Sequence, residues 1–310
     1  MKKDFLAITD LTREEILEIF DLTRTLKEKT RRREEHHLLK GYTLAMVFAK
    51  PSARTRVSFE TGIYQLGGMA LYLAPQDIGI GTREAVKDIA RVLSRYNDLI
   101  MARLFDHAHI EELAEYATVP VINGLTDYNH PCQIMADAFT ILEHRGTLEG
   151  LKIVYIGDGN NIAHSWINFA ARMPIHLVIS SPGGYQPDAA TLRRAQEAGL
   201  SQVEVIPDPV EAVQGADVVY TDVWASMGQE AEAEERRKVF MPYQVNQQLL
   251  AHASPEVLVM HCLPAHRGEE ITDEVIEGPH SIVFDEAENR MHVQKAIMVK
   301  LAQNHPSTKG

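Results

Sequence analysis

Met260-His261-Cys262-Leu263-Pro264-Ala265 is the stretch whose reading decides the fold. The apolar lead-in from Val257 to Met260, with Leu258 central, reads as a buried strand that ends in a thiol and a proline. A proline stops strand pairing, so Cys262 stands at the mouth of a sheet. In open α/β sheets, ligands bind outside the carboxyl ends of the strands. Other strands that end in reactive or anion-binding residues therefore belong with Cys262.

Working outward, the first such strand is Thr43 to Phe48, followed by Lys50-Pro51-Ser52-Ala53-Arg54-Thr55-Arg56 and a helical stretch containing Val57, Phe59, Ile63 and Leu66. Strand, short loop and helix start is the geometry in which backbone N–H groups and the helix dipole converge on an anion. Ser52 and Thr55 add hydroxyl donors, and Arg54 can hold phosphate oxygens in a bidentate grip. Arg56 has Glu60 four residues on, which points to a structural pair along the helix. Asp98 to Ala102 reads as a strand with Arg103 at its end. Val119 to Ile122 reads as another, followed by a polar loop from Asn123 to Asn129. His130-Pro131 then opens a helix from Cys132 to His144. A cationic histidine is disfavoured at a helix start, so a neutral imidazole is expected there, and Gln133 adds a donor and an acceptor.

Strands and helices alternate again after Arg145-Gly146-Thr147-Leu148-Glu149-Gly150, which marks a change of domain. The strand Lys152 to Ile156 leads into Gly157-Asp158-Gly159-Asn160-Asn161. A lone Gly-x-Gly without the third glycine is a weak dinucleotide signal, and the two asparagines suit a zwitterionic ligand better. The strand Asp217 to Thr221 ends in Asp222-Val223-Trp224-Ala225-Ser226-Met227-Gly228. Asp222 can hold an ammonium group there. The charged run Glu230 to Lys238 reads as a solvated face, and a last helix opens at Glu288 with Arg290 in its first turn.

Composition narrows the classes. A chain of 310 residues is long enough for two domains. A net charge of −12 argues against a nucleic-acid surface. No apolar run is long enough to span a bilayer, and Met1 to Phe5 lacks the apolar core of a signal peptide. The only cysteines, Cys132 and Cys262, each sit in a candidate motif, which suits free thiols in a reducing cytoplasm.

In their order along the chain, these motifs resemble the carbamoyltransferases, most closely the ornithine carbamoyltransferase family. The resemblance implies an α/β fold of two doubly wound parallel-sheet domains. Residues 1–146 would form a carbamoyl phosphate-binding domain, residues 147–285 an ornithine-binding domain, and residues 286–310 a C-terminal helix returning to the first domain. It implies carbamoyl phosphate held by Ser52, the Ala53 backbone, Arg54, Thr55, Arg103, His130 and Gln133. It implies L-ornithine held by Asn161, Asp222, Ser226 and Met227, with Cys262, Leu263 and Arg290 facing the carbamoyl group. The product would be citrulline, in arginine biosynthesis. A cytoplasmic homotrimer with active sites at subunit contacts is implied, with no metal, no cofactor, no nucleic acid and no membrane.

The chemistry of the residues agrees. Arg54 and the helix start can stabilise a leaving phosphate, and Arg103, His130 and Arg290 can stabilise charge developing on a carbonyl oxygen. The attacking amine must lose a proton, and Asp222 and Cys262 are the groups available to orient it. The chain departs from the family at Ala53, where a threonine is commonest, and at Gly79, where a glutamine is frequent. These departures motivate one rival reading, a non-catalytic ligand-binding relative. A carbamoyltransferase for another amine, such as putrescine, is the other.

Overall fold

The central apolar runs of the sequence become parallel strands buried on both faces. In the computed structural model, which describes residues 3–81, 83–225 and 232–305, the chain forms two compact units. One comprises Met1–Ala136 with Asn289–Gly310, the other Asp137–Glu288.

The first unit contains α1 (Arg13–Arg31), β1 (Thr43–Phe48), α2 (Ala53–Gln65), β2 (Met69–Leu73), α3 (Pro75–Ile78), α4 (Val86–Tyr96), β3 (Leu99–Arg103), α5 (His107–Tyr116), β4 (Val121–Leu125) and the start of α6 (Pro131–Arg145). Its sheet is parallel, in the order β2-β1-β3-β4. Leu44 to Phe48 and Leu99 to Ala102 are buried, which is why these strands read as continuous apolar runs without alternation. The expected capping box opens α1, with Thr12 Oγ1 accepting the Glu15 N–H at 3.2 Å and Glu15 Oε2 accepting the Thr12 N–H at 2.9 Å.

One expectation fails in β4. Asn123 to Leu125, read as a polar loop, belongs to the strand, which begins only after Pro120. Asn123 tolerates burial because its side-chain amide donates to the Leu6 carbonyl at 2.9 Å. A Cβ at Gly124 would stand 2.5 Å from Met101 Sδ and 3.2 Å from the Ala102 carbonyl oxygen, so a larger residue would force the neighbours to shift.

The second unit contains β5 (Lys152–Ile156), α7 (Asn161–Ala170), β6 (His176–Ser180), α8 (Ala189–Ala198), β7 (Gln202–Val205), α9 (Pro209–Val213), β8 (Val218–Thr221), α10 (Ala233–Phe240), α11 (Gln247–Leu250), β9 (Leu258–His261), α12 (Asp273–Ile276) and the start of α13 (Val283–Gln303). Its sheet is also parallel, in the order β7-β6-β5-β8-β9. Val154, Ile156, Val178, Val219, Val259 and Ile271 belong to its core. The last helix opens at Val283, before the expected Glu288, because Ile282 and Val283 are buried and hold its first turn.

Within the first unit, α13 lies against α1 and α2. Lys295 Nζ donates to Thr30 Oγ1 at 2.7 Å and to Gln65 Oε1 at 2.8 Å. Gly62 allows the approach, as a Cβ there would stand 3.2 Å from Lys295 Cγ.

Both sheets change winding direction once. Chain order reverses between β1 and β3 in the first unit and between β5 and β8 in the second. Such switch points open a crevice at the strands' carboxyl ends.

Candidate active site

The switch point of the first unit carries the residues expected to bind an anion. Ser52 caps α2, its hydroxyl accepting the Thr55 N–H at 3.2 Å. Ala53 and Arg54 form the exposed first turn, where backbone N–H groups lack partners within the helix. Thr55 is buried, and its hydroxyl accepts from Arg290 Nη2 at 2.6 Å and from Arg103 Nη1 at 3.4 Å. One threonine thus gathers the arginine that ends β3 and the arginine of α13. Arg56 is engaged elsewhere: it pairs with Glu60 at 3.0 Å, as expected, and lies 4.0 Å from the centre of the Tyr72 ring.

His130 and Gln133 are buried at the start of α6, with the Gln133 N–H donating to the His130 carbonyl at 3.1 Å. Burial, and then the charges of Arg290 and Arg103, hold the His130 imidazole well below its ordinary pKa. The ring is therefore neutral, as expected. The cause differs from the expected helix-start effect, since burial dominates. Cys132 faces away from this chemistry: its Sγ donates to the Asn123 carbonyl at 3.4 Å, and burial pushes its thiol up to about 12.

The Gly79 loop has its own local logic. Gly79 has φ +52°, and a Cβ would stand 2.7 Å from Arg83 Cβ. The Arg83 N–H donates to the Gly79 carbonyl at 2.8 Å, so this loop is folded around a glycine. Thr82 lies outside the described residues.

The second unit's switch point carries a carboxylate and a thiol. Thr221 and His261 are register partners at the ends of β8 and β9, so the residues after them, Asp222 and Cys262, emerge side by side. Cys262 Sγ donates to Asp222 Oδ1 at 3.1 Å. Asn160 Nδ2 donates to Asp222 Oδ2 at 3.4 Å. Asn161 is the first residue of α7, with Asn160 as its cap. Burial, and then the Asp222 and Glu286 carboxylates, push the Cys262 thiol well above its usual pKa. The group next to Asp222 is therefore a protonated thiol.

His261 does not serve Cys262 as a base. Its Nδ1 accepts the Leu263 N–H at 2.9 Å, and its Nε2 meets Glu270 Oε1 at 2.9 Å, both residues of the pair being fully buried. Asp222, His261 and Cys262 offer ligand atoms within 4.8 Å of one another, yet both histidine nitrogens are committed elsewhere. Leu263 has φ +57°, a conformation rare outside glycine, and its N–H bond to His261 holds it there.

Sequence reasoning missed Asp158 and Arg236. Arg236 fell in the run read as solvated, but it is buried. Its Nη1 meets Asp158 Oδ2 at 2.8 Å and the Trp224 carbonyl at 3.0 Å. It ties α10 to the ends of β5 and β8. Phe240, four residues on and also buried, was the available signal of an inward helix face. Ser226, Met227 and Gly228 lie outside the described residues.

Comparison with known proteins gives the family. Residues 3–143 match the family model for the aspartate/ornithine carbamoyltransferase carbamoyl-P binding domain, and residues 149–301 match that for the Asp/Orn binding domain. The ornithine carbamoyltransferase of Thermococcus kodakarensis is 57% identical over 300 residues, covering 96% of this chain and 95% of that relative. The anabolic ornithine carbamoyltransferase of Pyrococcus furiosus is 55% identical over 300 residues, with the same two coverages, 96% and 95%. A solved structure of ornithine carbamoyltransferase from Pyrococcus furiosus superposes with a TM-score of 0.92 at 54% identity, covering 96% of each chain. The chain belongs to the aspartate/ornithine carbamoyltransferase family.

Proposed function

We infer that the chain transfers the carbamoyl group of carbamoyl phosphate to the side-chain amine of L-ornithine, giving L-citrulline and phosphate. The observation that carries this reading is the Cys262–Asp222 contact at 3.1 Å, a carboxylate and a protonated thiol at a strand mouth. That pairing suits an ammonium or amine and does not suit a nucleophilic cysteine. The role in arginine biosynthesis accords with the anabolic relative.

The residue roles follow from the chemistry. The phosphate of carbamoyl phosphate takes the α2 start, with the Ala53 N–H, the Ser52 and Thr55 hydroxyls and the Arg54 guanidinium as donors. Arg103, Arg290 and the neutral His130 N–H polarise the carbonyl oxygen and stabilise the charge that grows there. Gln133 adds an amide to the same group, and Cys262 and Leu263 face the carbamoyl moiety. Asp222 and Asn161 hold ornithine, with Ser226 and Met227 assigned to the same ligand. The free amine has a pKa of roughly 10.4 by analogy with lysine, so a proton must leave before attack. The amine nitrogen then bonds the carbonyl carbon, and the bond from that carbon to the phosphate oxygen breaks. Phosphate leaves with the electron pair and takes up the proton that the attacking nitrogen then sheds. No acyl-enzyme is needed.

The protein works as a cytoplasmic homotrimer. Exposed Val57 and Tyr64 on α2, and Met69 and Leu71 on the edge strand β2, give apolar surface for a second copy. The Gly79–Arg83 loop serves a neighbouring subunit's phosphate site, with Arg83 or Thr82 supplying part of what a glutamine would give. Sedimentation equilibrium at assay concentration should return three times the chain mass, and an active monomer would contradict the shared site. For the reaction, carbon-13-labelled carbamoyl phosphate and ornithine, mixed with the protein and a chelator, should give labelled citrulline. Loss of label only as hydrolysis products would refute the transfer.

A further inference from the structure

Where β3 and β4 end, within the first unit, a histidine outside the assigned site grips the turn that leads to His130. The two strand ends run on together through main-chain bonds. The Leu104 N–H donates to the Leu125 carbonyl at 2.9 Å, and the Asp127 N–H donates to the Phe105 carbonyl at 2.8 Å. α5 then opens at His107, with Asp106 as its cap. The cap bond is made by Asp106 Oδ1, which accepts the Ala108 N–H at 2.9 Å. The His107 ring turns to the neighbouring segment instead. Its Nδ1 lies 2.8 Å from Thr126 Oγ1, and its centre lies 5.0 Å from that of the Tyr128 ring. Either ring tautomer makes the Thr126 contact, because a hydroxyl both donates and accepts.

Thr126 in turn closes the four residues that precede His130. The Thr126 N–H donates to the Asn129 carbonyl at 2.9 Å, and the Asn129 N–H donates to Thr126 Oγ1 at 3.4 Å. Thr126 and Asn129 are fully buried, and His130 follows directly. His107 stands four residues after Arg103, and Thr126 stands four residues before His130. Their contact therefore bridges the segment that carries Arg103 and the segment that carries His130. On its other side, His107 Nε2 lies 3.8 Å from Glu111 Oε1, whose side chain is 64% exposed, so that pair contributes little.

We propose that His107 is a positioning residue for carbamoyl transfer, holding the Thr126–Asn129 turn so that His130 and Arg103 address one carbonyl oxygen. The role in transfer rests on the reaction proposed above, whereas the hold on the turn does not.

Four single variants of the full chain test this. His107→Ala removes the ring, and its kcat for citrulline should fall about tenfold or more with KM for carbamoyl phosphate changed less than about threefold, since the phosphate is assigned to the α2 start. His107→Asn keeps a polar atom at the place of Nδ1 and should recover kcat to within about threefold of wild type. Thr126→Val should slow the enzyme as His107→Ala does, and the double variant should be no slower than either, because one contact is lost in all three. Glu111→Gln should leave kcat unchanged. Crystal structures without substrate should show the His130 ring displaced by about 1 Å in His107→Ala and back in place in His107→Asn. Should His107→Ala fail to fold, Thr126→Val carries the same kinetic and structural test. Wild-type kcat in these variants, His107→Asn as slow as His107→Ala, or an undisplaced His130 would overturn the proposal. Failure of the wild type to make citrulline would overturn the role in transfer together with the reaction, and the His130 position, read without substrate, still decides the hold on the turn.

Discussion

Cys262 and Asp222 lie in hydrogen-bond contact at 3.1 Å because each directly follows a residue of one register pair, Thr221 and His261. Parallel pairing of β8 and β9 thus delivers a thiol and a carboxylate to one spot. Asp222 should meet an ammonium group of ornithine. Asp222→Asn should keep the melting temperature and the carbamoyl phosphate affinity while lowering ornithine kcat/KM by about tenfold or more, since a charged contact in a closed site is lost. A destabilised variant with normal ornithine kinetics would assign Asp222 to turn capping instead.

The thiols should be sluggish. Free cysteine has a pKa near 8.5, roughly, and the thiolate is the reactive form. Cys262 is pushed well above the usual range, and Cys132 is buried and pushed to about 12. Iodoacetamide at pH 8 should therefore modify the native protein at least about tenfold more slowly than a free thiol, and both cysteines should react after unfolding. Rapid alkylation of Cys262 in the native protein would mean that Asp222 and burial do not keep it protonated.

Arg54 stands exposed at the α2 start and engages no other side chain among the described residues. Arg54→Ala should weaken carbamoyl phosphate binding strongly, because a charge-assisted bidentate contact is lost. Arg54→Lys should recover part, since lysine keeps the charge without the planar fork. Isothermal titration with carbamoyl phosphate checks both, and unchanged affinity in the alanine variant would remove Arg54 from the cradle.

Lys295 gives a pH signature of the first unit. Burial lowers its pKa from 10.5 to about 8. Between these values the unfolded chain binds more protons than the folded one, so this group makes stability rise as pH increases through the window. The melting temperature of wild type relative to Lys295→Met should therefore climb from about pH 8 to 10.5 and level off above it. A flat difference across that window would place an unperturbed lysine at this position.

Much of this was legible locally, and the rest required distant partners. The α2 start, the Thr12 capping box and the Arg56–Glu60 pair are set by residues within five positions of one another, so spacing alone exposed them. Strands such as β1 and β3 were plain because both faces are buried. Asn123 misled because its polar side chain finds its partner at Leu6, far back in the chain. Arg236 looked solvated because its partner, Asp158, lies in another βα unit. The buried links of His261 to Glu270 and of Glu286 to the His261 N–H left no mark in spacing or periodicity.

Substrate choice tests the account most directly. Carbamoyl phosphate consumption and carbamoylated product should be measured together with ornithine, putrescine, N-acetylornithine and aspartate, each with a chelator present. The account predicts L-citrulline from ornithine with the highest kcat/KM of the panel. A higher kcat/KM with putrescine, or phosphate release with no carbamoylated amine from folded protein, would contradict it.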